Sequence, residues 1–339
     1  LKINSPSGLQ KFMLSYRNTL KQAWKISWKN KILWFFGFFA SLVSFSAELK
    51  VASKIISPGP SIKELTNFKM FLDTGIFSKS AWINFFELLK TEPKTLWLLI
   101  LVVLIIIGFA VFFAWLSTVS QISLINSTKD IIKEKKGKIT IKKAIKNSNK
   151  RFWPVFWLNL IITIIINLVF LISSFFFLFI IIKNKIAYTL VYGLIFIIFT
   201  LLCLLLSFIA KYSIAYVVLE KKKFGPAIKS AWKLFSDNWL ISLEMALILF
   251  LINFVAILLI SLASIALIFV FIALALSTTL VSAPFFFFVF FAIIGALAVI
   301  IFNILSGSLL NTFQTSAWTG LFLNIKDKKQ KAKLERVFN

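Results

Sequence analysis

The chain contains no histidine, one cysteine and only twelve acidic residues in 339. These shortages exclude whole classes of chemistry. A thiol/imidazole metal site is impossible, and so is a disulfide within the chain. Cys203, in the run Leu-Leu-Cys203-Leu-Leu-Leu, reads as a small apolar residue of a lipid-embedded helix. The acids form no pair on one helix face inside an apolar stretch, and no glycine-rich phosphate loop occurs. Too few groups remain to titrate, attack or bind metal as an active site requires. The expectation is a protein that is not an enzyme and uses no cofactor.

Apolar residues make up 60% of the chain, and charged residues only 15% against roughly a quarter in ordinary domains. Mean hydropathy is +0.93. Apolar stretches cover residues 32–47, 95–126, 152–182 and 186–219, and from 239 to 325 only Glu244 is charged. A helix rising ~1.5 Å per residue needs about 20 residues to cross the hydrocarbon. The sole break in the last stretch is Ser277-Thr-Thr-Leu-Val-Ser-Ala-Pro284, so two long helices are expected there rather than four. The fold class is therefore all-α, a polytopic membrane protein of about six spans. The first stretch is expected to be retained rather than cleaved as a signal peptide, because a basic leader of 31 residues is too long for an n-region.

The net charge is +26, and its distribution matters more than its size. Three basic segments precede apolar stretches: Leu20-Lys-Gln-Ala-Trp24-Lys25-Ile, Ala144-Ile-Lys-Asn-Ser-Asn-Lys150-Arg and Ala227-Ile-Lys-Ser-Ala-Trp232-Lys233-Leu. Overlaid, Lys21, Lys146 and Lys229 coincide, as do Lys25, Lys150 and Lys233. The i, i+4 spacing places each pair on one helical face. A basic helix feeding a hydrophobic span suits an anionic membrane surface, with Trp24 and Trp232 at headgroup level. The partners implied are the bilayer and its anionic headgroups, and nucleic acid is not expected. Three hairpins result, each opened by a basic juxtamembrane helix: pseudo-repeats 14–126, 138–220 and 222–325 of one integral membrane domain, 1–339.

Residues 1–31, 127–151, 211–233 and 326–339 hold 29 of the 38 lysines and arginines. The positive-inside rule places them in the cytoplasm with both termini, and the expected location is the cytoplasmic membrane. The loop 48–94, with seven cations and five acids, falls outside. Ser61-Ile-Lys-Glu64 fits a capping box, so short amphipathic helices are expected in this loop.

Three polar pairs recur at i, i+4 in the cytoplasmic halves of the returning helices: Ser117 with Gln121, Ser207 with Lys211, and Ser308 with Thr312. Such stripes face protein or water rather than lipid. They serve either helix–helix hydrogen bonds or a solute cavity. Glu244 is the one acid inside an apolar span, and Lys211 lies about as deep, which suits a structural pair or, alternatively, a proton or ion relay. Asn167 and Asn253 each lie fourteen residues after a tryptophan, Trp153 and Trp239. Interhelical hydrogen bonding is the expected role, and ligand binding the alternative.

The Ala-x-Lys-x-Ala-Trp-Lys-Leu pattern at 227–234 follows a helix ending Tyr216-Val-Val-Leu-Glu220. Together these resemble the membrane domain found beside glycerophosphodiester phosphodiesterases in some bacteria, and its stand-alone relatives. The resemblance is best over 205–260 and fainter over 115–170. It implies a membrane-domain architecture and a bacterial source. It does not bring the phosphodiesterase activity, whose catalytic His and Glu residues lie on a separate soluble barrel. The expected function is that of an accessory or scaffold protein engaging anionic lipids; the alternative is a transporter or channel with a polar cavity near Glu244 and Lys211.

Overall fold

The computed structural model describes residues 8–43, 83, 93–134, 140–183, 186–280 and 284–326. Nearly all of the 48–94 loop, and the basic tail from 327, lie outside the described residues. Every regular element among them is an α-helix: α1 (Gly8–Lys29), α2 (Ile32–Val43), α3 (Pro93–Ile132), α4 (Ile141–Asn149), α5 (Phe152–Lys183), α6 (Ile186–Leu219), α7 (Phe224–Asp237), α8 (Trp239–Leu280) and α9 (Phe285–Lys326). Isoleucine, valine and phenylalanine are abundant beside leucine in the long helices, although in water these three favour strands. In hydrocarbon each backbone amide must bond within its own segment, which makes a helix the solution for a single spanning segment. Proline punctuates accordingly. Pro93 opens α3, Pro154 and Pro226 lie in the first turns of α5 and α7, and Pro284 precedes α9. At those places the missing N–H leaves no intrahelical bond unmade.

Five of these helices contain stretches long and apolar enough to cross a membrane, at 97–132, 152–169, 193–219, 239–278 and 285–326. The helix α2, expected as the first span, is apolar but has only 12 described residues. That is about 18 Å of helix, short of the ~30 Å hydrocarbon core. The stretch 239–325 does form two helices, of 42 residues each, the first running into the Ser277–Pro284 segment as far as Leu280 and the second opening after Pro284.

Two compact units emerge from interleaved segments: one from residues 1–44, 116–159 and 208–339, the other from 45–115 and 160–207. In the second, α5 meets α6 where Ile166, Val169 and Cys203 are buried, with Ile162 and Phe199 against them. In the first, α9 packs on α8, α2 and α1. Its register with α8 is antiparallel and is set by three pairs: Asn253 with Gln314, Ser264 with Asn303, and Phe271 with Gly295. The half of α9 from Ser308 onward therefore lies beside the first half of α8.

This level of the first unit is built inside-out relative to a soluble core. Ser308, Thr312, Ser316 and Thr319 of α9 are buried, as are Ser117, Ser123 and Thr128 of α3. Leu247, Leu251, Phe254 and Leu258 of α8 are exposed at the same level. Polar inside and apolar outside is the order that a lipid surrounding selects, since unpaired polar groups are costly in hydrocarbon.

Candidate functional site

The three basic segments form α1, α4 and α7. Each ends in a break of one or two residues before an apolar helix begins. On α1, Thr19, Ala23, Ile26 and Ser27 are buried while Lys21, Trp24, Lys25 and Trp28 are exposed. On α7, Ala227 and Ala231 are buried while Lys229, Trp232 and Lys233 are exposed. The small residues let these helices approach closely. A β-carbon added at Gly320 of α9 would come within 3.1 Å of the Thr19 methyl, and Asn324 donates to the Thr19 hydroxyl at 3.0 Å. Both breaks carry the same device. The Asn30 side chain bonds the Ile26 carbonyl and the Asn238 side chain the Leu234 carbonyl, each at 3.0 Å over four residues. Trp34 Nε1 then reaches back to the Ser27 carbonyl at 2.7 Å and fixes the α1–α2 corner.

The second copy departs from the sequence alignment. Lys146 lies in the last turn of α4 and Lys150 is its C-cap, still with right-handed helical dihedrals, so the second pair sits closer to its helix end than the other two. Measured from the helix end, Lys142 and Lys146 take the places nearest those of Lys21 and Lys25. The physical reason is the shorter run before the break: α4 stops at Asn149, with Arg151 where the other copies still continue. Lys142, Lys146 and Lys150 are all exposed, and Ser148 is buried against Ser123 of α3 with a 2.8 Å hydrogen bond.

The expected polar stripes face protein. Ser308, Asn311 and Thr312 of α9 donate to the backbone carbonyls of Trp34, Gly37 and Leu33, the last two at 2.7 and 3.2 Å. Ser117 of α3 donates to the carbonyl of Phe39. Four side chains from two helices thus hold the backbone of α2. Gly37 makes the approach possible, because a β-carbon there would overlap the Thr312 hydroxyl and lie 2.5 Å from the Ser308 carbonyl oxygen. Nothing in the sequence pairs α2 with α9, although the glycine among six large apolar neighbours marks a site of close approach. Ser207 is buried as well.

Gln121 accepts from Asn159 of α5 at 2.7 Å, and Asn253 accepts from Gln314 of α9. Asn253 therefore bridges helices as expected. Asn167 is exposed on α5, and the amide of that helix engaged between helices is Asn159. Tyr212 and Ser242 share a 2.7 Å hydrogen bond; because Ser242 donates to the Asn238 carbonyl at 2.9 Å, Tyr212 is the donor. This bond joins α6 to α8 beside Lys211 and Glu244, both half-buried. The Lys211 ammonium lies 4.3 Å from the centre of the Trp318 ring, which also meets Phe208 and Tyr212. A cation over an indole face in a partly desolvated place is worth ~0.5–2 kcal/mol.

One charged node was not singled out in the sequence. At the end of α6, Glu220 forms a 2.5 Å salt bridge with Lys326, the last residue of α9. Lys129 of α3 donates to the Leu219 carbonyl at 2.9 Å, a cation on the negative end of the α6 dipole. Lys222 bonds Ser230 of α7 at 2.7 Å and lies 4.4 Å over the Tyr216 ring. The hydrogen bond from Lys326, more than the surrounding lysine charges, holds the Glu220 carboxyl below its ordinary value. The node ties the ends of α3, α6 and α9 to the start of α7.

A helical protein with several candidate membrane spans and a hydrogen-bonded polar core is the class these features define. Compared with models of protein families, with curated proteins and with solved structures, the chain finds no match in any of the three.

Proposed function

We propose that the chain is a non-enzymatic accessory or scaffold protein of the cytoplasmic membrane that engages anionic lipid headgroups through α1, α4 and α7. The observation that carries this reading is the sorting of residues on those helices. Lys21, Lys25, Lys146, Lys150, Lys229 and Lys233 are all exposed, and Trp24 and Trp232 are each about half exposed beside them. Each helix keeps small residues for its protein-facing side. An exposed cation near an acidic surface contributes about 1 kcal/mol, screened within a Debye length of ~8–10 Å. Both termini on the cytoplasmic side, three repeated hairpins and the bacterial membrane-domain architecture belong to the same reading.

The test is lipid selectivity of the full chain reconstituted in mixed phosphatidylglycerol and phosphatidylethanolamine vesicles. Phosphatidylglycerol should be enriched in the lipid that co-purifies, and the enrichment should fall at high salt. Replacing the six lysines by glutamine should abolish it. Equal enrichment by wild type and the sixfold variant would remove the headgroup role. The rival reading is a transporter using Glu244 and Lys211; a solute or ion flux lost in Glu244→Gln with the fold intact would replace the scaffold reading.

A further inference from the structure

The turn between α6 and α7 is four residues long, and three of them are lysines: Glu220-Lys221-Lys222-Lys223. It closes α6 with hydrogen bonds from the Glu220 and Lys222 amides to one acceptor, the Tyr216 carbonyl, at 3.1 and 3.3 Å. Between them, Lys221 takes a left-handed conformation with φ 58°. Glycine is the usual residue at such a helix end, because a β-carbon is strained there. Lysine in its place keeps a third cation in the turn at a conformational cost, and its side chain is exposed.

Neighbouring helices bring more cations to the same place. Lys129 of α3 reaches the turn at the Leu219 carbonyl, and Lys326 of α9 reaches it at Glu220. Five lysines, at 129, 221, 222, 223 and 326, thus stand against two acids, Glu220 and the Asp130 that follows Lys129. The charges of Lys326, Lys129 and Lys222 all act on the Glu220 carboxyl. Ammonium groups from α3, α9 and the turn therefore converge on one carboxylate. Each ammonium carries three protons. Lys326 gives one to Glu220, and Lys222 gives one to Ser230 while facing the Tyr216 ring, so both keep protons for a further acceptor. The Lys326 and Glu220 side chains remain 38% and 29% exposed, which leaves the cluster open to an anion.

The charge excess selects among anions. A phosphodiester headgroup offers a single charge, whereas a phosphomonoester carries about −1.5 to −2 at pH 7 and three strong acceptor oxygens. We propose that the α6–α7 turn, together with Lys129 and Lys326, binds a phosphomonoester: the headgroup of phosphatidic acid or a free phosphate. The site is separate from the lysines spaced along the faces of α1, α4 and α7, and stands whether or not those helices contact headgroups.

The experiment titrates the delipidated full chain in neutral detergent with phosphatidic acid or phosphatidylglycerol of matched acyl chains, and counts bound lipid by native mass spectrometry. Phosphatidic acid should bind more tightly by about fivefold, the worth of one charge contact at a lysine near an acidic surface. Lys221→Gly removes a cation from a backbone conformation that glycine adopts without strain, so the fold is kept. It should weaken phosphatidic acid binding about fivefold, and Lys222→Gln added to it should weaken binding again by a similar factor. The variant with glutamine at Lys21, Lys25, Lys146, Lys150, Lys229 and Lys233 should retain the preference. Inorganic phosphate alone is the second arm, read by thermal unfolding against chloride at equal ionic strength. Stabilisation by phosphate that Lys221→Gly removes, without a lipid preference, assigns a free phosphate; the lipid preference without that stabilisation assigns the headgroup. Equal lipid affinities with no stabilisation by phosphate overturn the proposal, as does a response in either arm that neither turn variant lowers. A preference lost in the sixfold variant but kept in Lys221→Gly also overturns it and returns the binding to the helix faces.

Discussion

Asn311 donates its side-chain amide to the carbonyl oxygen of Gly37 across 2.7 Å, joining residues 274 positions apart. The same glycine lets α9 come so close that no β-carbon fits between them. Overpacking at such a contact costs about 1–3 kcal/mol, and an interhelical hydrogen bond in a membrane protein contributes roughly 0.6–2 kcal/mol. Gly37→Ala should therefore lower the unfolding temperature in detergent more than Asn311→Ala does. Thr312→Ala should recover only part of the Gly37→Ala loss, because the Ser308 carbonyl cannot be removed. Unchanged thermal unfolding in Gly37→Ala would show that α2 is not held there.

Lys211 and Glu244, both half-buried, flank the Tyr212–Ser242 bond between α6 and α8, and the expectation that they act as a pair has a direct test. Removing one member of a buried pair costs about 3–5 kcal/mol, and replacing both by apolar residues is often nearly neutral. Lys211→Leu and Glu244→Leu should each reduce folded yield in detergent, and the double variant should restore it. Additive losses would assign Lys211 instead to Trp318, where a second cycle with Trp318→Leu should show coupling.

Acid should loosen the node at the end of α6. The Glu220 carboxyl is held below its ordinary value of 4.5 by the hydrogen bond from Lys326, with the nearby lysine charges adding to it. Its folded value is thus the depressed one. The stabilisation is fully present above the unfolded value and disappears as pH falls through the folded value. Partly exposed ion pairs contribute only about 0–1 kcal/mol, so the effect is small. Wild type should unfold at slightly higher temperature than Glu220→Gln at pH 7, and the two should converge in acid below the folded value. A difference that persists unchanged in acid would show that the carboxylate charge is not its source.

The sidedness has its own test. In a Cys203→Ala background, single cysteines at Ser7, Lys136, Lys223 and Lys331 should resist impermeant thiol reagents in intact cells, while one at Ser78 should label. Labelling at Lys331 with protection at Lys223 would require an odd number of crossings after Trp239.

What could be read from the residues was periodic and local. The basic helices, the long apolar helices and the inward direction of Ser117, Gln121, Ser308 and Thr312 all follow from spacing along one helix. Partners do not. That Ser308 and Thr312 meet the backbone of α2 depends on a fold linking residues almost the whole chain apart, and no spacing encodes it. The earlier end of α4, at Asn149, was hidden for another reason: lysine spacing does not mark where the chain turns. Asn167 shows the same limit, since equal distance from a tryptophan gives depth but not rotation. The exposed Asn167 and the bonded Asn159 are eight residues apart on one helix.

The long reach from Gly37 to Asn311 has a consequence for biosynthesis. A chain made from its N-terminus at ~5–20 residues per second presents Gly37 roughly 15–55 s before Asn311 exists. During that interval α2, too short in its described part to span the hydrocarbon alone, waits without the three donors that α9 later supplies. The hydrogen bonding of the α2 backbone is therefore completed by α9. A ribosome that stops after α3 and before Ser308 releases a nascent chain whose α2 has one of its four side-chain donors, Ser117, and lacks the other three.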